Sequence, residues 1–201
     1  MNLKEDILKL KKEKKAVILA HYYTLPEVQE IADCTGDSLA LAQYAEKTEA
    51  DVIVFAGVHF MAETAKILNP NKKVYIPDFK SHCSLADSCP EKEFIAFREE
   101  HPEHKVISYI NCSAAIKGLS DVICTSGNAE KVVKSFGKGE KLIFAPDENL
   151  GSYLNRKTGR EMLLWNGGCH VHFQLAVSDY QEAKNKYPNA VFIAHPECRE
   201  E

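Results

Sequence analysis

The chain has 201 residues, with 25 Lys and Arg against 29 Asp and Glu and a formal net charge of −4. That length allows one or two domains with an apolar core. The mixed, mildly acidic charge leaves no footprint for nucleic acid, and no apolar run approaches the roughly 20 residues that cross a bilayer.

In chain order, a Lys-rich amphipathic helix is predicted over 3–14, without the apolar core of a signal peptide. A strand over 16–21 follows and ends at His21; 22–27 read as a loop, and Gly36-Asp37-Ser38 opens a helix to about residue 47. A strand over 51–56, a helix over 60–68 stopped by Asn69-Pro70, and a strand over 73–76 lead into a loop holding Cys83 and Cys89. Helix 90–100 links to a second set: strand 106–110, a short connector, strand 122–124, and Thr125-Ser126-Gly127-Asn128 entering a helix to about 136. Strands over 141–145 and 161–165 flank a helix over 150–157; a loop begins at Gly167-Gly168-Cys169, and helix 178–186 precedes a last strand ending at His195.

Three of these runs read alike. Ala16 to His21, Lys105 to Asn111 and Ala190 to His195 are short and rich in β-branched residues, and each stops at a side chain able to do chemistry. Continuous apolar runs of this length suit strands buried on both faces of a parallel sheet, where ligands bind beyond the carboxyl ends. Asp51-Val52-Ile53 is echoed by Asp121-Val122-Ile123, and the strand leading to Pro77-Asp78 by the one leading to Pro146-Asp147. With an offset of 70 residues from Asp51 to Asp121, this reads as duplicated small α/β domains, and Asp78 is expected to superpose on Asp147. Residues 190–201 would then open a third copy.

Seven cysteines, an odd number, argue against a disulfide framework and toward metal ligation or buried thiols in a cytoplasmic protein. Cys34, Cys112 and Cys124 fall on predicted elements and read as small buried hydrophobes. Cys83, Cys89, Cys169 and Cys198 lie in loops after strands, where thiolates suit a metal or iron–sulfur cluster, although no CxxC spacing occurs. His170 and His172 would share one side of an extended segment. Ser38 and Ser126 stand at helix starts, where free N–H groups favour an anion, against the alternative of ordinary capping. His21, Tyr23, Tyr109, Asn111, His195 and Glu197 are strand-tip residues that converge in a cleft if the copies pack around a shared axis.

These residues resemble quinolinate synthase. The similarity is carried by His21-Tyr22-Tyr23, Gly36-Asp37-Ser38, Gly57 to Thr64, Cys83-Ser84-Leu85-Ala86, Thr125-Ser126, Ala145 to Gly151, Gly168 to His172 and His195-Pro196-Glu197, in order from about residue 3 to 198. The resemblance implies three-layer αβα domains with small parallel sheets about a pseudo-threefold axis, here 1–82 and 83–168, with 169–201 a connecting loop, a helix and the first strand of an incomplete third domain. It implies condensation of iminoaspartate with dihydroxyacetone phosphate to quinolinate, releasing phosphate and water, in NAD biosynthesis. It implies a [4Fe-4S] cluster whose open iron acts as a Lewis acid. By position, Cys83 and Cys169 would be two of its thiolate ligands, with the third expected beyond residue 201. Tyr23, Tyr109 and Glu197 would be catalytic. His21, Ser38, Tyr109, Asn111, Ser126, His172, His195 and Glu197 would contact substrate. L-aspartate oxidase or aspartate dehydrogenase would be a functional partner; neither nucleic acid nor membrane would be one. A chain ending at Glu201 is expected to be a fragment of a longer enzyme. The alternative is a truncated, non-catalytic anion-binding α/β module with buried thiols or a zinc site. Colour distinguishes the two: brown for the cluster protein, colourless for the module.

Overall fold

In the computed structural model, which describes residues 3–200, the Lys-rich N-terminal pattern is helix α1 (Leu3–Glu13), none of whose residues is buried. The apolar run after it is β1 (Ala16–His21), with Ile18, Leu19 and Ala20 in the core. Next come α2 (Pro26–Gln29), β2 (Cys34–Gly36), α3 (Ser38–Lys47), β3 (Val52–Ala56), α4 (His59–Leu68) and β4 (Lys73–Tyr75). The four strands pair only in parallel, in the order β2-β1-β3-β4. Such a sheet needs helical cover, and α3 and α4 bury Leu41, Ala45, Phe60, Met61 and Ala65.

The second half holds α5 (Ser84–Asp87), α6 (Glu91–Glu99), β5 (Lys105–Tyr109), α7 (Ala114–Gly118), β6 (Val122–Cys124), α8 (Ala129–Ser135), β7 (Leu142–Ala145), α9 (Glu148–Thr158) and β8 (Leu163–Leu164). These strands also run in parallel, in the corresponding order β6-β5-β7-β8. Val106, Ile116, Ile143 and Phe94 form its core with the buried thiols of Cys89 and Cys112. Contacts divide the chain into two compact units, Met1–Cys83 and Ser84–Glu201. The molecule is thus α/β, with two small parallel sheets flanked by helices and a common strand order.

The duplication is real, but its register differs from the one the sequence suggests. Asp33 accepts from the Ile18 amide and Asp121 from the Val106 amide, both at 2.8 Å. The Tyr22 amide donates to the Gly36 carbonyl as the Ile110 amide does to Cys124. These pairs are 88 residues apart, so Asp33 matches Asp121, His21 matches Tyr109 and Ser38 matches Ser126. Asp51 precedes β3, a strand next to β1 in the sheet interior, whereas Asp121 precedes the edge strand β6. The shared Asp-Val-Ile therefore does not mark equivalent positions: the role of Asp121 falls in the first unit to Asp33, while Asp51 faces Lys15 at 3.9 Å. Asp78 likewise follows β4 while Asp147 follows β7, so the expected superposition of these two fails as well.

After β8 come α10 (His170–Phe173) and α11 (Val177–Lys186), then an irregular tail. The expected last strand is not formed: residues 190–195 pair with no strand among the described residues, and Val191 and Ile193 are 90% and 94% exposed. A strand requires an edge to bond to, and an apolar run alone does not supply one. The tail is instead tied back to α9, where Asn149 donates to the Glu197 carbonyl at 3.0 Å and Arg156 pairs with Glu200 at 2.6 Å.

Candidate functional site

In the second unit, β5 ends in Tyr109 and the tail brings Glu197 to it. The phenol donates to Glu197 Oε1 at 2.9 Å, and both residues are buried, 6% and 3% exposed. The Ser126 hydroxyl donates to the phenol oxygen. Burial, followed by the neighbouring Glu197 charge, pushes the phenol well above its ordinary range, so Tyr109 keeps its proton at neutral pH.

Two imidazoles flank the carboxylate. His195 Nδ1 lies 3.4 Å from Glu197 Oε1, and His172 Nδ1 lies 3.3 Å from Oε2. The Glu197 amide donates to His195 Nδ1 at 3.3 Å, which makes that nitrogen the unprotonated one. His172 Nδ1 is buried and makes no hydrogen bond. The two rings stand 5.4 Å apart.

Asp147, the fully buried N-cap of α9, accepts from the Leu150 amide at 2.7 Å. Burial is the largest influence on its carboxyl and pushes it up to about 7. The Glu197 charge adds to this, while backbone amides of Leu150, Cys169 and Asn149 oppose it. Asp147 and Asn149 are site residues that sequence reasoning missed. Their signal was Pro146-Asp147-Glu148-Asn149, a capping sequence directly after a strand.

Cys169 begins the turn into α10. Gly167 and Gly168 precede it because nothing larger fits: a Cβ at Gly167 would stand 2.6 Å from the Pro146 carbonyl, and one at Gly168 would stand 2.2 Å from the Phe173 ring. The expected extended segment is helical here. His170 and His172 therefore do not share a side, and His170 Nδ1 lies 2.5 Å from Ser84 Oγ instead. Cys169 Sγ, a ring nitrogen of His172 and a Glu197 oxygen lie within 4.8 Å of one another. Asn111 is half-buried two residues beyond Tyr109.

In the first unit, His21 ends β1 and stacks on Tyr23 with ring centres 4.0 Å apart. The Tyr23 hydroxyl accepts from the Val58 amide at 2.8 Å and contacts Met61 sulfur. Burial pushes this phenol up to about 12, the Val58 amide opposes, and nearby Cys83 adds to the rise. Burial lowers the His21 imidazole and the Asp37 carboxylate counters it. Ser38 is the first residue of α3, but Asp37 does the capping, accepting from Ala40 at 2.8 Å. In the second unit Asn128 is the residue before α8, and its side chain accepts from the Thr125 amide and hydroxyl. Ser126 therefore sits in a turn ahead of the helix rather than at its start.

The thiols divide cleanly. Cys89, Cys112 and Cys124 are buried, and burial pushes the Cys89 and Cys124 thiols up, the latter to about 12. Cys83 and Cys169 are half-buried and occupy corresponding places, each following the fourth strand of its unit.

The sequence profile of the family described as Quinolinate synthetase A protein matches residues 5–201. A quinolinate synthase of Chloroherpeton thalassium is 60% identical over 198 residues, covering 98% of this chain and 62% of the relative. One from Chlorobaculum tepidum is 62% identical over 192 residues, and one from Synechocystis sp. 61% over 192; each match covers 96% of this chain and 60% of the relative. The chain thus spans about three fifths of the length of the curated relatives it matches. It belongs to the quinolinate synthetase A protein family.

Proposed function

We propose that this chain carries two of the repeats of a quinolinate synthase, which condenses iminoaspartate with dihydroxyacetone phosphate to quinolinate with release of phosphate and water. The observation that carries this reading is the buried Tyr109–Glu197 pair with Ser126, His172 and His195 around it at the carboxyl end of β5. Closing a pyridine ring requires repeated proton removal beside carbonyl and imine carbons, and delivery of protons to departing oxygens. Glu197 is the base at Oε2, the oxygen that Tyr109 does not hold and that His172 Nδ1 faces at 3.3 Å. Tyr109 stays protonated and steadies the carboxylate through Oε1, so its part in proton transfer is to orient and stabilise Glu197. Tyr23, whose hydroxyl is fixed by the Val58 amide, is the acid of the first unit.

His21, Ser38, Asn111, Ser126, His172 and His195 bind the substrates through their carboxylate, phosphate and carbonyl oxygens. Cys83 and Cys169 would be two of the thiolates that hold a [4Fe-4S] cluster. When bound, the cluster supplies a Lewis acid for a substrate oxygen. The proposed setting is cytoplasmic, with an L-aspartate oxidase or aspartate dehydrogenase supplying the short-lived iminoaspartate. No described helix is long and apolar enough to cross a membrane.

The test is quinolinate formation by the natural protein that contains this sequence, reconstituted anaerobically and supplied with both substrates. Glu197→Gln keeps the shape but removes the base, so kcat should fall by about 10²–10⁴ with KM little changed. Tyr109→Phe should lower kcat less, because the base remains. An active Glu197→Gln enzyme would refute the assignment.

A further inference from the structure

We infer that Gln29 and Lys117 are equivalent positioning residues, each clamping the turn that carries a site residue past an interior strand: Tyr23 in the first unit and Asn111 in the second. The match that pairs His21 with Tyr109 also pairs Tyr23 with Asn111 and Gln29 with Lys117. Each site residue stands just beyond the end of β1 or β5, and each clamp lies in the short helix that follows, α2 or α7.

The hydrogen bonds repeat as well. The Gln29 side-chain amide donates to the Tyr22 carbonyl at 3.0 Å and to the Thr24 carbonyl at 2.7 Å, the two that flank Tyr23. The Lys117 ammonium donates to the Ile110 carbonyl at 3.0 Å and to the Cys112 carbonyl, the two that flank Asn111. Gln and Lys are unlike residues, yet both put a nitrogen with at least two N–H donors on an unbranched stem. A side chain that capped its own helix would meet that helix's last carbonyls; these two reach back across the preceding turn instead.

The two turns differ in build. In the first unit the Thr24 amide and hydroxyl donate to the His21 carbonyl at 2.9 and 2.8 Å. Tyr22, Tyr23 and Leu25 are exposed there, so hydrogen bonds rather than apolar contacts set the path that brings the Tyr23 hydroxyl to the Val58 amide. In the second unit the Cys112 amide donates back to the Ile110 carbonyl at 2.8 Å, which puts Asn111 at the apex of a three-residue turn. Ile110 and Cys112 are buried, a setting where an unmet carbonyl is costly. Holding the peptides on both sides of a residue fixes its φ and ψ, and with them the direction of its side chain. The effect on catalysis rests on the roles proposed for Tyr23 and Asn111; the clamps themselves do not.

The test measures kinetics and residue-resolved amide hydrogen exchange on the natural protein that contains this sequence. Gln29→Glu keeps the shape and turns the donor into an acceptor, which the two carbonyls repel. Because Tyr23 is the acid, kcat should fall by about 10–100-fold with KM little changed. Exchange at the Val58 amide, which donates to the Tyr23 hydroxyl, should accelerate while Ile18 in β1 stays unchanged. Lys117→Met keeps the length and removes the donors. Because Asn111 binds substrate, KM should rise by about 3–10-fold with kcat little changed, and exchange at the Cys112 amide should accelerate. Gln29→Lys, which transplants the donor of the second unit, and Lys117→Arg should behave as the parent does. The inference is overturned if these two are as damaging as Gln29→Glu and Lys117→Met, or if exchange at Val58 and Cys112 does not respond. Exchange that accelerates throughout either sheet overturns it too, since the role would then be general stability. Local exchange changes beside unaltered kinetics would keep the clamps and overturn instead the roles assigned to Tyr23 and Asn111.

Discussion

Residue chemistry at the site is governed by burial, and Asp147 shows it best. Unfolded, an Asp carboxyl ionises near pH 3.9; folded, this one does so near 7. Between those values the folded state holds the extra proton, so stability falls as pH rises through the window and levels off above about 7. The loss is on the order of a few kcal/mol in the metal-free chain. Asp147→Asn keeps an oxygen for the Leu150 amide and removes the charge. The variant should lose less of its melting temperature than the parent between about pH 5 and pH 8. Equal slopes for the two proteins would show that Asp147 ionises normally. Sequence alone could mark Tyr109, Glu197 and His172 as chemical side chains near strand ends, but not that they touch. The contact between Tyr109 and Glu197 joins residues 88 positions apart through an irregular tail, and no periodicity encodes that.

Among elements, those with long apolar runs were legible and those fixed by pairing were not. β1, β3 and β5 announce themselves through apolar runs rich in β-branched residues, and β7 through the apolar run Leu-Ile-Phe-Ala. β2 is only Cys-Thr-Gly, a strand because β1 offers it an edge through Leu19, Ala20 and His21. Residues 190–195 are the converse case, a good strand sequence with no described edge to join. The repeat was visible in composition yet misregistered, because Asp33 and Asp121 sit in dissimilar local sequence. Their shared role is to accept from the backbone of the strand beside them, and it carries a prediction. Removing either side chain leaves one strand amide unpaired in a part-buried setting, at a cost of about 1–3 kcal/mol. Asp33→Ala should speed hydrogen exchange at Ile18 and leave Val106 unchanged, and Asp121→Ala should do the reverse. Exchange that accelerates at both amides in either variant would mean the two carboxylates are not local equivalents.

For the whole molecule, duplication places one part-accessible thiol after the fourth strand of each unit, and this sets the expectation for iron. Cys83 and Cys169 occupy these matched places, whereas Cys89, Cys112 and Cys124 are buried in the core, and burial lowers the acidity of the Cys89 and Cys124 thiols. Cys34 lies in β2 and Cys198 in the tail, with no counterpart at a matching point. A cluster with an open iron takes three thiolates, and the proposed function assigns Cys83 and Cys169 as two of them. In the natural protein, Cys83→Ala or Cys169→Ala should therefore remove both the brown absorption and the bound iron, while Cys34→Ala and Cys198→Ala should keep them. In the 201-residue chain alone, anaerobic reconstitution should give no cluster, or one lost on desalting. Iron and sulfide analysis after desalting decides the matter: a stable stoichiometric cluster on this chain would require a third ligand within it. Cys198 would then be the first thiol to replace, since it is half-buried and next to Glu197, and Cys89 the second.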